Sequence, residues 1–284
     1  MSYTTLIEAE ELLSHAHAEN WRIFDCRCSP SDPAVGRRQY FEGHIPEARH
    51  ADLDRVLAAP PGPATGRHPL PGRTALAAWL GREGVDGDTQ IVAYDESGGA
   101  FAARLWWLAR WLGHEKIAVL DGGLPAWREA GGEMEEGEVK APTPADFPVR
   151  KSLTKMLVTD EVLTIVHAAA SGTLVDARAA PRYRGETEPI DSVAGHIPGA
   201  HNRPFAENLD ASGRFLDRDQ LRTRFAGLSD DPQQTVHYCG SGVTACHNVL
   251  AMEHAGLVGS RLYAGSWSEW IRNPARPVAR GKDG

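Results

Sequence analysis

The chain repeats itself once, and no other feature limits its possible folds as strongly. Phe24-Asp-Cys-Arg27 lines up with Val175-Asp-Ala-Arg178 at an offset of 151, and Gly43-His-Ile-Pro46 with Gly195-His-Ile-Pro198 at 152. Further on, IVAYDESGGA (91–100) matches TVHYCGSGVT (235–244) at 144, and VLDGGLPAW (119–127) matches LYAGSWSEW (262–270) at 143. Four stations in an unchanged order at slowly falling offsets indicate a duplicated domain. At 284 residues the chain is long enough for each copy to bury its own core. The expected division is a first domain over 1–136, a linker over 137–151 and a second domain over 152–284. The linker region is rich in Pro, Glu and Gly and has neither helical nor strand periodicity.

Within each copy, short β-branched runs alternate with amphipathic segments. Gln90–Tyr94, Ile117–Leu120, Thr173–Asp176 and Thr235–Tyr238 read as strands; 101–113 and 245–256 carry apolar residues at helical spacing and end at Gly113 and Gly256. Such alternation implies α/β domains, each with a mainly parallel central sheet flanked by helices.

Composition narrows the function. A net charge of −8 argues against broad nucleic-acid binding, which needs a basic surface to displace counterions from phosphate. There is no apolar run of membrane-spanning length and no leader-like N-terminus, so the expectation is a cytoplasmic protein without a membrane partner. Cys26, Cys28, Cys239 and Cys246 form no spaced disulfide framework and read as free thiols. Cys26 and Cys28, with no second pair, are a weak metal signal, and no metal site is expected.

The chemistry concentrates at Cys239. It follows a β-type run, stands before Gly240-Ser241-Gly242-Val243-Thr244, and precedes a helix. In open α/β sheets ligands gather where the carboxyl end of a strand runs into a helix. Gly240 and Gly242 allow backbone conformations that turn several N–H groups inward, and the helix start adds positive charge. Such a cradle favours an anion and a nucleophilic thiolate.

The stretch Cys239–Ala245 (CGSGVTA), both Gly-His-Ile-Pro copies, DGGLPAW and GSWSEW resemble the two-domain rhodanese, or sulfurtransferase, family, over nearly the whole chain. The loop is most similar to the 3-mercaptopyruvate branch. The resemblance implies tandem rhodanese-like domains and an enzyme without metal or organic cofactor. Such an enzyme takes sulfane sulfur from 3-mercaptopyruvate or thiosulfate, holds it as a Cys239 persulfide and passes it to a thiol, to cyanide or to thioredoxin. The first copy has Asp95 where the second has Cys239, so only the second is expected to turn over.

The resemblance also implies site residues. Arg182 matches the family's substrate-binding arginine, suited to gripping an anion bidentately. A second arginine is expected nine positions on, but that place holds Asp191, which makes Arg184 the candidate for the second contact and leaves donor preference open. The mercaptopyruvate branch pairs its loop serine with a histidine and an aspartate from the first domain. Here the counterparts are Ser241, His68 and Asp54, with three extra residues between the last two. Ser241 would polarise the carbonyl or relay a proton. Gly240, Gly242, Val243 and Thr244 would supply backbone contacts to the substrate.

Two other readings compete. A cysteine-dependent phosphatase needs an arginine six residues after the cysteine, and Ala245 stands there. A noncatalytic sulfur-relay or redox-sensing module would use the same cysteine but depend on a partner to load it.

Overall fold

The computed structural model describes residues 2–29 and 32–282. The chain divides into two compact units that are not continuous in sequence. The first comprises Met1–Ala59, Leu70–Leu153 and Ala211–Phe215; the second comprises Pro60–Pro69, Thr154–Asp210 and Leu216–Gly284.

In the first unit the elements run β1 (Leu6–Ile7), α1 (Ala9–Leu13), β2 (Trp21–Asp25), α2 (Ala34–Glu42), β3 (Arg49–His50), α3 (Arg73–Arg82), β4 (Gln90–Tyr94), α4 (Ala102–Trp111), β5 (Ile117–Leu120) and α5 (Gly123–Glu129). The five strands form one parallel sheet in the order β1-β5-β4-β2-β3. Every residue of β4 and β5 is buried, as expected for strands covered on both faces. Trp106 and Trp107 of α4 are fully buried in the first unit.

The second unit repeats the plan with β6 (Lys155–Leu157), α6 (Thr159–Val166), β7 (Thr173–Asp176), α7 (Ala180–Tyr183), β8 (His201–Asn202), α8 (Arg218–Phe225), β9 (Thr235–Tyr238), α9 (Ala245–His254), β10 (Arg261–Tyr263) and α10 (Ser266–Trp270). Its sheet order, β6-β10-β9-β7-β8, is that of the first unit, and every pairing is again parallel. Gly113 and Gly256 follow α4 and α9 with φ of +87° and +82°, the left-handed geometry that closes a helix.

Matching buried pairs brace both sheets at their carboxyl ends. Arg27 holds Asp25 at 2.5 Å and Arg178 holds Asp176 at 2.6 Å. The His44 and His196 rings each contact a backbone carbonyl at 2.7 Å, that of Tyr40 and of Tyr183 respectively. The repeated motifs of the sequence are therefore mostly braces for loops.

Two segments depart from the simple plan. Residues 137–151 contain no helix or strand and lie along the first unit, where Ala145 donates to the Gly81 carbonyl (2.8 Å) and Arg150 to that of Leu112 (2.8 Å). Pro60–Pro69, from the first half of the sequence, packs as part of the second unit. Among the described residues no helix is long and apolar enough to cross a membrane.

Candidate active site

Cys239 stands directly after β9, where the parallel sheet ends, and six residues before α9. Its thiol accepts the Gly242 N–H at 3.1 Å. Gly242 has φ of +80°, and a Cβ there would meet the Ala264 carbonyl oxygen at 2.2 Å, so only glycine turns the chain this tightly. Among the described residues the amides of Ser241, Val243 and Thr244 find no protein acceptor.

The start of α10 pins the loop from behind. Cys239 N donates to Ser266 Oγ (3.1 Å), Trp267 N to the Cys239 carbonyl (3.0 Å) and Ser268 N to the Gly240 carbonyl (2.9 Å). Two of these bonds satisfy the Cys239 and Gly240 carbonyls, while the Ser241, Val243 and Thr244 amides are left for an anion. Cys246 is buried, with its thiol 3.3 Å from the Gly242 carbonyl, and supports the loop from the first turn of α9.

The matching loop of the first unit shows what this backbone shape holds. Asp95, at the position of Cys239, turns its carboxylate into its own loop. Oδ1 accepts from Ser97 N (2.7 Å) and Gly99 N (2.9 Å), and Oδ2 from Phe101 N (2.8 Å) and Ala102 N (2.9 Å). One negative charge satisfies four amides. The loop at Cys239 carries no such internal carboxylate.

The remaining groups of the cluster come from Pro60–Pro69 and from the segment after β7. His68 Nδ1 lies 2.7 Å from Ser241 Oγ, so the expected serine–histidine pair is formed. Arg182, at the end of α7, projects over the loop: a Cβ on Gly240 would lie 3.6 and 3.7 Å from its Nη2 and Nη1 atoms. The same position would lie 2.9 Å from Nη2 of Arg67. Glu188 holds Arg182 through Nη2 (2.6 Å) and Nε (3.2 Å), and Asp191 bridges Arg182 (3.4 Å) and Arg67 Nη1.

These carboxylates respond differently to burial. Burial acts to raise the Glu188 carboxyl, but the Arg182 hydrogen bond and the Asp191 and Ile190 amides outweigh it, and the group lies below the usual carboxylate range. Burial raises Asp191 above that range, against the pull of Arg67.

Arg184 is engaged with Glu186 (2.6 and 2.8 Å) in an exposed pair, a geometry that does not make it the second anion contact. Asp54 belongs to the first unit, on the turn Leu53–Leu57, where its amide donates to Asp52 (2.9 Å). Sequence reasoning missed Arg67, Glu188 and Ser266. Arg67 adjoins the histidine already singled out, but only the fold brings it to the loop. Ser266 was visible inside GSWSEW but lacked a stated partner.

Comparison with known proteins adds a family match that falls in both units. The rhodanese-like domain matches twice, over residues 8–130 and 158–273. The chain is 47% identical to a probable 3-mercaptopyruvate sulfurtransferase of Pseudomonas aeruginosa, over 99% of this chain and 100% of that protein. It is 40% identical to a putative thiosulfate sulfurtransferase of Mycobacterium tuberculosis, over 97% of each. Among solved structures, the 3-mercaptopyruvate sulfurtransferase of Escherichia coli superposes with a TM-score of 0.80 at 31% identity, over 94% of this chain and 100% of that one.

Proposed function

Since the chain belongs to the rhodanese-like family, we propose that it is a sulfurtransferase moving sulfane sulfur from 3-mercaptopyruvate or thiosulfate to a thiol or cyanide through a Cys239 persulfide. The observation that carries this reading is the Cys239 thiol held at the Gly242 amide (3.1 Å), next to Gly240, whose bare face meets two guanidinium groups. The Cys239 thiolate attacks the donor sulfur and a sulfur–sulfur bond forms. With 3-mercaptopyruvate, the carbon–sulfur bond breaks, its electron pair leaves as the pyruvate enolate, and a proton converts that to pyruvate. An acceptor thiolate then attacks the outer sulfur, leaves as its own persulfide and releases the Cys239 thiolate.

In this reading Ser241 faces the charge that grows on the ketone oxygen. If the His68 ring N–H donates to Oγ, the hydroxyl proton is free to stabilise the enolate. A carboxylate that orients the imidazole is assigned to Asp54 by family resemblance. Arg182 grips the anionic end of the donor, and the Gly240–Thr244 amides receive the persulfide charge. The acceptor is a small thiol or a thioredoxin-type dithiol, and the compartment is the reducing cytoplasm, where such thiols regenerate the enzyme.

Cys239→Ser is expected to abolish sulfur transfer. Incubation with 3-mercaptopyruvate or thiosulfate alone, followed by peptide mass spectrometry, is expected to show one added sulfur atom on Cys239. Loading by neither donor would favour a relay that a partner must charge, and wild-type turnover in Cys239→Ser would end the mechanism.

A further inference from the structure

We infer that Asp191 sets donor choice by its charge: it cancels one guanidinium charge beside the Cys239 loop, and so favours a donor with one negative charge over a donor with two. Of the two donors, 3-mercaptopyruvate with its thiol protonated carries one, and thiosulfate carries two. The inference rests on the reading of Cys239 as the sulfur nucleophile. The family resemblance places an arginine where Asp191 stands, so the site here differs from that pattern by two charges.

The carboxylate is built into the cluster. Glu188 Oε1 accepts from the amides of Ile190 and Asp191 (3.1 Å each), and this turn carries the Asp191 side chain inward, to 5% exposure. There it meets Nη1 of Arg67 and, at 3.4 Å, Nη2 of Arg182. The same two guanidinium groups face the loop: a Cβ on Gly240 would lie 2.9 Å from Arg67 Nη2 and 3.6 Å from Arg182 Nη2. Through the shared Arg182 nitrogen, the Asp191 carboxylate stands no more than about 7 Å from that bare face, a separation at which charges in a partly buried site still act on one another.

Counting charges fixes the direction of the effect. Arg67, Arg178 and Arg182 are engaged by Asp176, Glu188 and Asp191, so three guanidinium groups are balanced by three carboxylates. Attraction to a net positive charge grows in proportion to the donor's charge, whereas the cost of stripping its water grows with the square of that charge. A cluster of no net charge therefore gives a dianion little to offset a desolvation cost roughly four times that of a monoanion. Asparagine at 191 would keep an acceptor oxygen for Arg67 but leave the cluster one positive charge in excess. A carboxylate that served only to place the two arginines would affect both donors alike.

The test uses the full-length protein and compares donors by kcat/KM, which for a transfer in two halves reports the loading half alone. Asp191→Asn is expected to raise the ratio of kcat/KM for thiosulfate to that for 3-mercaptopyruvate by about 3-fold. A change in the Cys239 thiolate population enters both donors equally and cancels. A second ratio is independent of turnover: the rate of Cys239 carboxymethylation by iodoacetate, a monoanion, divided by that of carbamidomethylation by neutral iodoacetamide, read on the Cys239 peptide. It also compares reagents one charge apart, and is expected to rise by a similar factor, about 3-fold. Asp191→Glu, which keeps the charge, is expected to leave both ratios within about 2-fold of wild type. Asp191→Ala carries the same comparison if the asparagine variant does not fold.

Folded Asp191→Asn and Asp191→Ala proteins in which both ratios fall, or rise by less than about 2-fold, would overturn the inference, since the carboxylate would then do no more than place the arginines. Where thiosulfate loads too slowly to measure, the alkylation ratio decides. Cys239→Ser runs alongside. If it abolishes transfer while the ratios of the Asp191 variants stay at wild-type values, the inference alone falls. If Cys239→Ser keeps full transfer, the reading of the site falls and the inference with it.

Discussion

Ser241 and Cys239 lie two positions apart on one loop, yet they serve different halves of the proposed reaction. The thiolate attacks whichever donor is bound, whereas the hydroxyl at 2.7 Å from His68 Nδ1 matters only if the leaving group develops charge on oxygen. The pyruvate enolate does so. Sulfite, which leaves thiosulfate already charged, does not need a new hydrogen bond at a ketone. Ser241→Ala is therefore expected to lower kcat with 3-mercaptopyruvate by about 10²-fold and to leave thiosulfate turnover within about 3-fold. His68→Gln should follow in the same direction. Parallel assays of pyruvate release and thiocyanate formation check this, and an equal loss with both donors would remove the serine from carbonyl chemistry. At this scale the sequence was partly readable. Cys239 and Ser241 stand inside a local motif whose glycines announce the backbone shape. Arg67 does not, because its partners Asp191 and Ser268 are 124 and 201 positions away.

At the level of elements, β9 carries an ionisable ring into the core just before it delivers Cys239. His237 is fully buried, with Nε2 3.0 Å from Met252 Sδ of α9 and the ring edge-on to Phe225 of α8 at 6.1 Å. Burial pushes the imidazole down to about 3, so it is neutral in the native sheet. The unfolded ring takes up a proton near the ordinary histidine pKa of about 6.5, and the folded ring does so only near 3. Its contribution to stability is thus complete above about pH 6.5 and declines as pH falls toward 3, by about 1.4 kcal/mol per unit. His254 at the end of α9, pushed down to about 4 by burial and then by Arg218, acts in the same direction. His237→Leu should flatten this decline, gaining about 2–3 kcal/mol on wild type between pH 7 and 4.5 in urea titrations. An identical difference at both pH values would show that the ring's charge plays no part.

The long elements were legible for a related reason: β4, β5, β7 and β9 are β-branched runs ended by turn residues, and α4 and α9 stop at left-handed glycines. β1, β3 and β8 have two residues each, too few to show any period. Their places are set by the sheet, not by their own composition. The same holds for Pro60–Pro69, which reads as an ordinary Pro- and Gly-rich loop although its contacts lie with the second unit.

Across the whole molecule, the duplication preserved the sheet order, the buried Asp–Arg brace and the turn after the central strand, but it filled that turn in two ways. In the first unit the charge is built in, because Asp95 takes four amides and is 1% exposed. A cradle already occupied by its own carboxylate offers nothing to an external anion, so the same geometry that serves chemistry after β9 serves stability after β4. The aligned sequences displayed the Asp95–Cys239 exchange directly, but not its meaning, which lies in where the carboxylate points. Asp95→Asn tests that meaning. Asparagine keeps the shape yet replaces one acceptor oxygen with an NH₂ group, which would then face amide donors in a buried site. The expected loss is about 2–4 kcal/mol, seen as a fall in Tm on the order of 5–10 °C. A built-in anion that matters only for folding predicts this fall together with persulfide formation on Cys239 below the melting range. A variant that melts with the wild type would mean that the four amides are as well served by water, and that the carboxylate is not what holds the first unit's loop closed.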